Sequence, residues 1–224
     1  MGKIKAVIFD MDGLLINSDP FWKETFTLVM KKVGVLVSDE LYYKMNGNSI
    51  DEAIRFLYNR TPWQTPSMEE IASEIIESVE LKLDKRGKVM DGVEYILDFF
   101  KHKNIRIALA SSSYSTIINR VLKKVNIAHY FEIISSGENE RYNKPHPGIY
   151  LNTLNKLGVL PCECMVFEDS INRIIAAKAA SLYVVAVPAQ MHYSDTKFDI
   201  ADLKIPSLMG FTHQHLKTFD LGFI

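Results

Sequence analysis

The sequence predicts an α/β protein: a parallel sheet covered by helices on both faces, with a long helical segment inserted after the first strand. Three observations carry this. Short apolar runs recur along the chain and are separated by stretches with helical period. Each run is apolar throughout rather than alternating, the pattern of strands buried on both faces. The spacing is uneven, because residues 10 to 104 intervene between the first run and the second, far more than one crossover helix needs.

The elements follow in order. Lys5-Ala-Val-Ile-Phe9 is the first strand, and it ends in Asp10-Met11-Asp12-Gly13. Residues 17–87 read as the helical insert. Within it, Ser49-Ile-Asp-Glu52 and Ser67-Met-Glu-Glu70 match capping boxes, in which the serine and the glutamate satisfy each other's free amides at a helix start. Met68, Ile71, Ile75, Val79 and Leu83 form an apolar stripe at helical spacing and are expected in the core. Lys85-Arg86-Gly87-Lys88 suits a return linker. Further strands are predicted at Ile105 to Ala110, Ile133 to Ser135, Met165 to Phe167 and Tyr183 to Val187. A helix follows Ser111, with Ile117, Ile118, Val121, Leu122 and Val125 in period. Another follows Pro147, with Tyr150, Leu151, Leu154 and Leu157 in period and Gly158 as its C-terminal cap. A third begins at Ile171, Ile174, Ile175 and Lys178. The tail from Phe211 has no clear periodicity. The predicted division is thus a core of residues 1–16 and 88–224 and an insert of 17–87.

Composition narrows the function. The 224 residues are 47% hydrophobic and 24% charged, with 11 Gly and 8 Pro, so disordered and fibrous classes are excluded. Lys+Arg is 26 and Asp+Glu is 27, a balance without the basic field that nucleic-acid binding needs. The two cysteines, Cys162 and Cys164, make neither a disulfide scaffold nor a zinc site and read as reduced thiols. No signal peptide precedes Asp10, and no apolar stretch reaches the length of a membrane span. A cytoplasmic monomer, with neither membrane nor nucleic acid as partner, is the expectation.

In open α/β sheets, ligands bind at the carboxyl ends of the strands. The predicted strand ends carry Asp10 and Asp12, then Ser111-Ser112-Ser113, then Glu168-Asp169-Ser170, and a loop adds Asn143-Lys144-Pro145. Carboxylates this concentrated repel one another and need a counter-charge. A hard divalent cation such as Mg²⁺ supplies it with oxygen ligands and leaves room for a substrate phosphate. Two aspartates two residues apart can divide nucleophilic attack from proton transfer. Lys144 and a serine amide or hydroxyl can neutralise the remaining phosphate oxygens.

This ordered set resembles the haloacid dehalogenase superfamily, and within it the β-phosphoglucomutase-like group. Phe9-Asp-Met-Asp-Gly-Leu-Leu15 matches the first motif, Ser111 the second, Lys144 the third and Glu168-Asp169-Ser170 the fourth. The segments 60–67 and 184–208 look like those of bacterial hexitol and 2-deoxyglucose-6-phosphate phosphatases. The resemblance implies a Rossmann-like core with a mobile helical cap, and a Mg²⁺-dependent phosphatase of small sugar or sugar-alcohol phosphates. It implies Asp10 as the nucleophile that becomes an aspartyl-phosphate, and Asp12 as the acid and base. Ser111, Ser112 and Lys144 would bind the phosphoryl group. Asp10, Asp169 and the Asp12 carbonyl would ligate Mg²⁺, with Glu168 supporting the metal or Lys144. An aspartate at position 12 favours phosphoryl transfer over carbon–halogen cleavage. A sugar-phosphate mutase on the same scaffold is the alternative.

Departures from the group's pattern occur at four places. Asn17 and Asp19 stand where the group has Asp and Glu, which predicts an altered hinge or cap contact. Arg173 stands where many relatives have Gly, and reads as a residue the helix tolerates. Relatives often place an Arg just after the glycine of Gly47-Asn48-Ser49-Ile50 to meet a distal phosphate. Here the first candidate is Arg55, about one helical turn further on, which weighs against the mutase. Trp22 and Trp63 read as core first, and His146 as structural; His192, His213 and His215 show no metal-ligand pattern. A nucleotide switch would need a glycine-rich phosphate loop, and none is present. A non-catalytic relative would lack one of Asp10, Asp12, Lys144 or Asp169, and all four are present.

Overall fold

The computed structural model describes residues 3–45 and 47–222. Its sheet has six parallel strands in the order β3-β2-β1-β4-β5-β6. They are β1 (Ala6–Phe9), β2 (Arg106–Ser111), β3 (Ile133–Ser136), β4 (Cys164–Glu168), β5 (Tyr183–Ala186) and β6 (Leu203–Lys204). Five of these lie within a residue or so of their predicted places. The sixth has two residues and no apolar run, so hydropathy gave it no signal.

Alternation along each strand builds two cores. Val7, Phe9, Ile107, Leu109, Met165 and Phe167 face one side. There they meet α5 (Val93–His102) and α6 (Ser115–Lys124) through Ile96, Phe100, Ile118 and Val121. Ala6, Ile8, Ala108, Ala110 and Val166 face the other side. They pack with α7 (Gly148–Leu157) and α8 (Ile171–Ala179) through Tyr150, Leu154, Ile174 and Ala177. Leu151 and Ile175, counted in the predicted apolar periods, are instead exposed.

Between β1 and α5 the chain forms α1 (Asp19–Lys32), α2 (Asp39–Met45), α3 (Ile50–Arg60) and α4 (Met68–Arg86). Both capping boxes form: Ser49 accepts from the Glu52 amide and Ser67 from the Glu70 amide, and each glutamate returns the bond. Ile71, Ile75, Val79 and Leu83 are buried, as their spacing predicts. The chain leaves and re-enters the sheet at one place, where Ile16 and Val89 form an antiparallel bridge. The Asn17 amide donates to the Lys88 carbonyl there, and the Met90 amide to the Leu15 carbonyl. Among the described residues no helix is long and apolar enough to cross a membrane.

The tail docks. Phe211 is buried with its ring centroid 5.1 Å from Phe167, 5.5 Å from Phe100 and 5.6 Å from Phe99, and Tyr95 donates to its carbonyl. It leads into α9 (His213–Leu221), which buries Leu216 and Phe219. The residues alternate aromatic and polar without one clean period, because the first anchor precedes the helix. Phe211→Ala is expected to lower unfolding free energy by about 3–5 kcal/mol. Leu221→Ala, at an exposed position, should change it by less than about 0.5 kcal/mol. Guanidinium chloride unfolding of both variants checks the contrast.

Candidate active site

Register places the site. Phe9 pairs level with Leu109 on one side and Phe167 on the other. The next residues, Asp10, Ala110 and Glu168, therefore emerge side by side at the carboxyl end of the sheet. This is where connections leave to opposite sides of β1, the position at which open α/β sheets bind ligands. Lys144 arrives from the loop before α7 and is fully buried. Its Nζ lies 2.9 Å from Asp10 Oδ1, 2.8 Å from the Ala110 carbonyl and 2.7 Å from Glu168 Oε1. All three ammonium protons are thereby used. The buried Tyr150 hydroxyl also donates to Glu168 Oε1.

Asp12 follows at the turn that Gly13 closes with φ of +80°. A Cβ at Gly13 would stand 2.2 Å from Asp169 Oδ2, so only glycine fits. The Asp12 carboxylate is oriented by four donors. Ser18 Oγ (2.7 Å) and Trp22 Nε1 (3.0 Å) reach one oxygen; Ser113 Oγ (2.7 Å) and Ser111 Oγ (3.3 Å) reach the other. Ser111 thus addresses Asp12 in this arrangement, and Ser112 donates at 3.5 Å to the Gly47 carbonyl between α2 and α3. Every residue expected at the site from the sequence lies within this one region.

Arg173 is the residue that sequence reasoning missed. It is buried, and its Nη1 lies 2.7 Å from each of Asp10 Oδ2, the Asp12 carbonyl and Asp169 Oδ1. Those three oxygens are the ones the resemblance assigns to Mg²⁺. A usable signal was present: Arg173 stands four residues after Asp169, one helical turn on the same face. Trp22 was expected in the core, yet its indole touches Asp12; Trp63 is the core residue, donating to the Pro66 carbonyl and packing on Tyr58. Ser113, part of the predicted strand-end serine cluster, completes the site with Ser18 and Tyr150, which no sequence signal set apart. His146 is structural, its Nδ1 accepting from the Gly148 amide.

The electrostatics follow from burial. Glu168 is pushed up to about 7 by loss of solvent and by the Asp10 charge, against the pull of Lys144 and Arg173. Burial also raises Asp169 well above the usual carboxylate range and raises Asp19, with Arg173 opposing in both. Burial would lower the Arg173 guanidinium, but Asp10, Asp169 and Glu168 outweigh it and raise it further.

Asp10, Glu168 and Asp169 can bring one oxygen each within 4.8 Å of one another. With the Asp12 carbonyl they form a hard donor set of the kind Mg²⁺ takes. Glu168 Oε2 is buried without a hydrogen-bond partner and is an open acceptor beside it. The donors therefore fit a divalent cation, and Arg173 holds their point of convergence. Beside them lies a cleft of roughly 590 Å³, mouth included, lined by Asp12, Asp19, Trp22, Tyr42, Asn48, Ser49, Tyr114 and Arg173 among others. Arg55 lies exposed on α3 and does not line it.

Comparison with known proteins agrees with this geometry. The family model described as haloacid dehalogenase-like hydrolase matches residues 7–187. Hexitol phosphatase B of Escherichia coli K12 is 36% identical over 216 residues, covering 96% of this chain and 97% of that protein. The phosphorylated carbohydrates phosphatase of Thermotoga maritima is 31% identical over 179 residues, covering 80% and 82%. The crystal structure of β-phosphoglucomutase from Clostridium difficile superposes with a TM-score of 0.87 over 98% of both chains; at 24% identity it speaks for the fold alone. With the motif carboxylates converged at the sheet end, and with relatives that match over nearly its whole length, the chain belongs to the haloacid dehalogenase-like hydrolases.

Proposed function

We propose that this protein is a phosphatase of small phosphorylated sugars or sugar alcohols, working through an aspartyl-phosphate on Asp10. The observation that carries the reading is Asp10 itself: a buried carboxylate at a strand end, between Lys144 and Arg173, two residues from an aspartate that four donors orient. The relatives named hexitol phosphatase and phosphorylated carbohydrates phosphatase support the substrate class. Asp10 attacks phosphorus, and the bond to the sugar oxygen breaks as Asp12 delivers a proton to it. Asp12 then takes a proton from water as that water attacks phosphorus, and the bond to Asp10 breaks to release inorganic phosphate. Lys144 balances charge on the transferred group, with Ser111 and Ser112 turning toward the phosphoryl oxygens when substrate is present.

Mg²⁺ is the cofactor the donor set suits, held by Asp10, Asp169 and the Asp12 carbonyl with Glu168 beside them. When bound it would cancel phosphoryl charge. We take residues 17–87 as a cap that hinges where Asn17 and Lys88 pair, over a core of 1–16 and 88–224. Closure would exclude bulk water while the first step proceeds. We place the enzyme in the cytoplasm as a monomer acting on a free small molecule. Release to water is favoured over return to a sugar, because Arg173 is the single Lys or Arg among the residues lining the cleft, and it is engaged by carboxylates. A bisphosphate would have no further cation to meet there.

Phosphate release from a panel of sugar and sugar-alcohol phosphates, with Mg²⁺ and with EDTA, tests the reading. Metal-dependent release is expected, strongest for compact polyol phosphates; its absence across the panel would defeat the proposal. Asp10→Asn should lower kcat at least about a thousandfold. Asp12→Asn should slow a sugar phosphate about 10²–10⁴-fold and an activated aryl phosphate much less. Equal slowing of both would remove the proton-transfer role from Asp12.

A further inference from the structure

Arg173 does not sit in this site as a guanidinium normally sits among carboxylates. A planar fork usually engages a carboxylate with two N–H groups side by side. Here Asp10 Oδ2, the Asp12 carbonyl and Asp169 Oδ1 all lie 2.7 Å from the single atom Nη1. Nη1 carries two protons, so one of these three contacts is charge attraction without a proton in it. At the same time Nε is buried without a hydrogen-bond partner. Three oxygens converging on one point, from two strand ends and the turn after the first, are arranged for a point cation and not for a fork.

We propose that Arg173 is a resident counter-ion at this point, so that the guanidinium and a divalent metal ion occupy it alternately and the metal enters only as Arg173 withdraws. The inference rests on the reading of the oxygen cluster as a Mg²⁺ position. Two cations sharing the same three oxygens would stand in close contact, and their repulsion excludes joint occupancy. A way out exists. Arg173 lines the cleft, and Asp19 lines it as well, offering a neighbouring carboxylate that is not one of the three oxygens. Both residues depart from the pattern of the family this chain resembles, and they face the same space. Gly47 leaves room for the Arg173 stem, since a Cβ there would stand 3.4 Å from Arg173 Cγ and 2.8 Å from Ser170 Oγ.

The device has two consequences. The protein carries its own charge compensation and stays folded without metal. The metal binds only to the fraction of molecules whose arginine has withdrawn, which weakens its apparent affinity by that fraction.

Calorimetric titration of Mg²⁺ into the full-length wild type, Arg173→Ala and Arg173→Met tests this, together with thermal unfolding in EDTA and in Mg²⁺. The variants are expected to bind Mg²⁺ at least about tenfold more tightly than the wild type, as a withdrawn fraction below about a tenth requires. Their Tm should fall in EDTA and recover in Mg²⁺, while the wild-type Tm changes little between the two. Equal affinity in wild type and variants would overturn the inference and leave the Mg²⁺ reading standing. No Mg²⁺ binding in any of the three would overturn both. Arg173→Met keeps the aliphatic stem and loses only the charged head. If both variants are unfolded in Mg²⁺ as well as in EDTA, Arg173 is structural and the inference fails.

Discussion

Like charge packed at the end of a buried sheet is the constraint on which the site depends. In-register pairing puts Asp10 and Glu168 on adjacent strands at the same level, and Asp169 follows directly. Asp12 and Asp19 stand close by. Five carboxylates meet two buried cations, Lys144 and Arg173, so full ionisation would leave 2 − 5 = −3. Desolvation works against that charge, raising Glu168, Asp169 and Asp19 above their usual values. The remaining deficit is an attraction for positive charge. A site built this way is unfavourable for folding taken alone, since buried ion pairs seldom repay their desolvation. The two apolar cores on either face of the sheet offset that cost.

The same constraint explains why the supporting residues are where they are. Lys144 uses every proton on Asp10, Glu168 and the Ala110 carbonyl, so it holds the ends of β1, β2 and β4 and its own loop in one geometry. Tyr150, its ring centroid 4.8 Å from Lys144 Nζ, fixes the same Glu168 oxygen from α7. Ser18 and Trp22 belong to the stretch that opens α1, and their bonds to Asp12 tie the insert to the catalytic turn. Tyr114 at the start of α6 donates to Asp51 on α3, a second tie across the cleft. One Asp12 oxygen is therefore held by the insert and the other by serines of the core.

The fold was legible because strand and helix periods differ and each run here keeps one of them. Five strands, both capping boxes and the stripe through Val79 follow from local rules. The motif residues were legible because they stand at strand ends in one order. Ser18 and Trp22 were not, because their importance lies in reaching Asp12, which only tertiary packing decides. Arg173 was hidden by a sound local argument. An arginine costs a helix little, so nothing in propensity marks it, and its meaning comes from Asp169 four residues back and from Asp10 and Asp12 at the end of the neighbouring strand. The tail escaped for a related reason: Phe211 packs before its helix begins, so no period includes both anchors.

The cleft itself argues for what kind of molecule it takes. Trp22 and Tyr42 offer aromatic faces, and Asn48, Ser49 and Tyr114 offer amide and hydroxyl groups. A sugar or polyol presents both requirements, C–H faces that pack on rings and hydroxyls that exchange hydrogen bonds. A second phosphate would need a free cation, which the described lining residues lack. Under the proposed function, the substrate carries its charge at one end, on its phosphate, and a neutral hydroxylated body in the cleft.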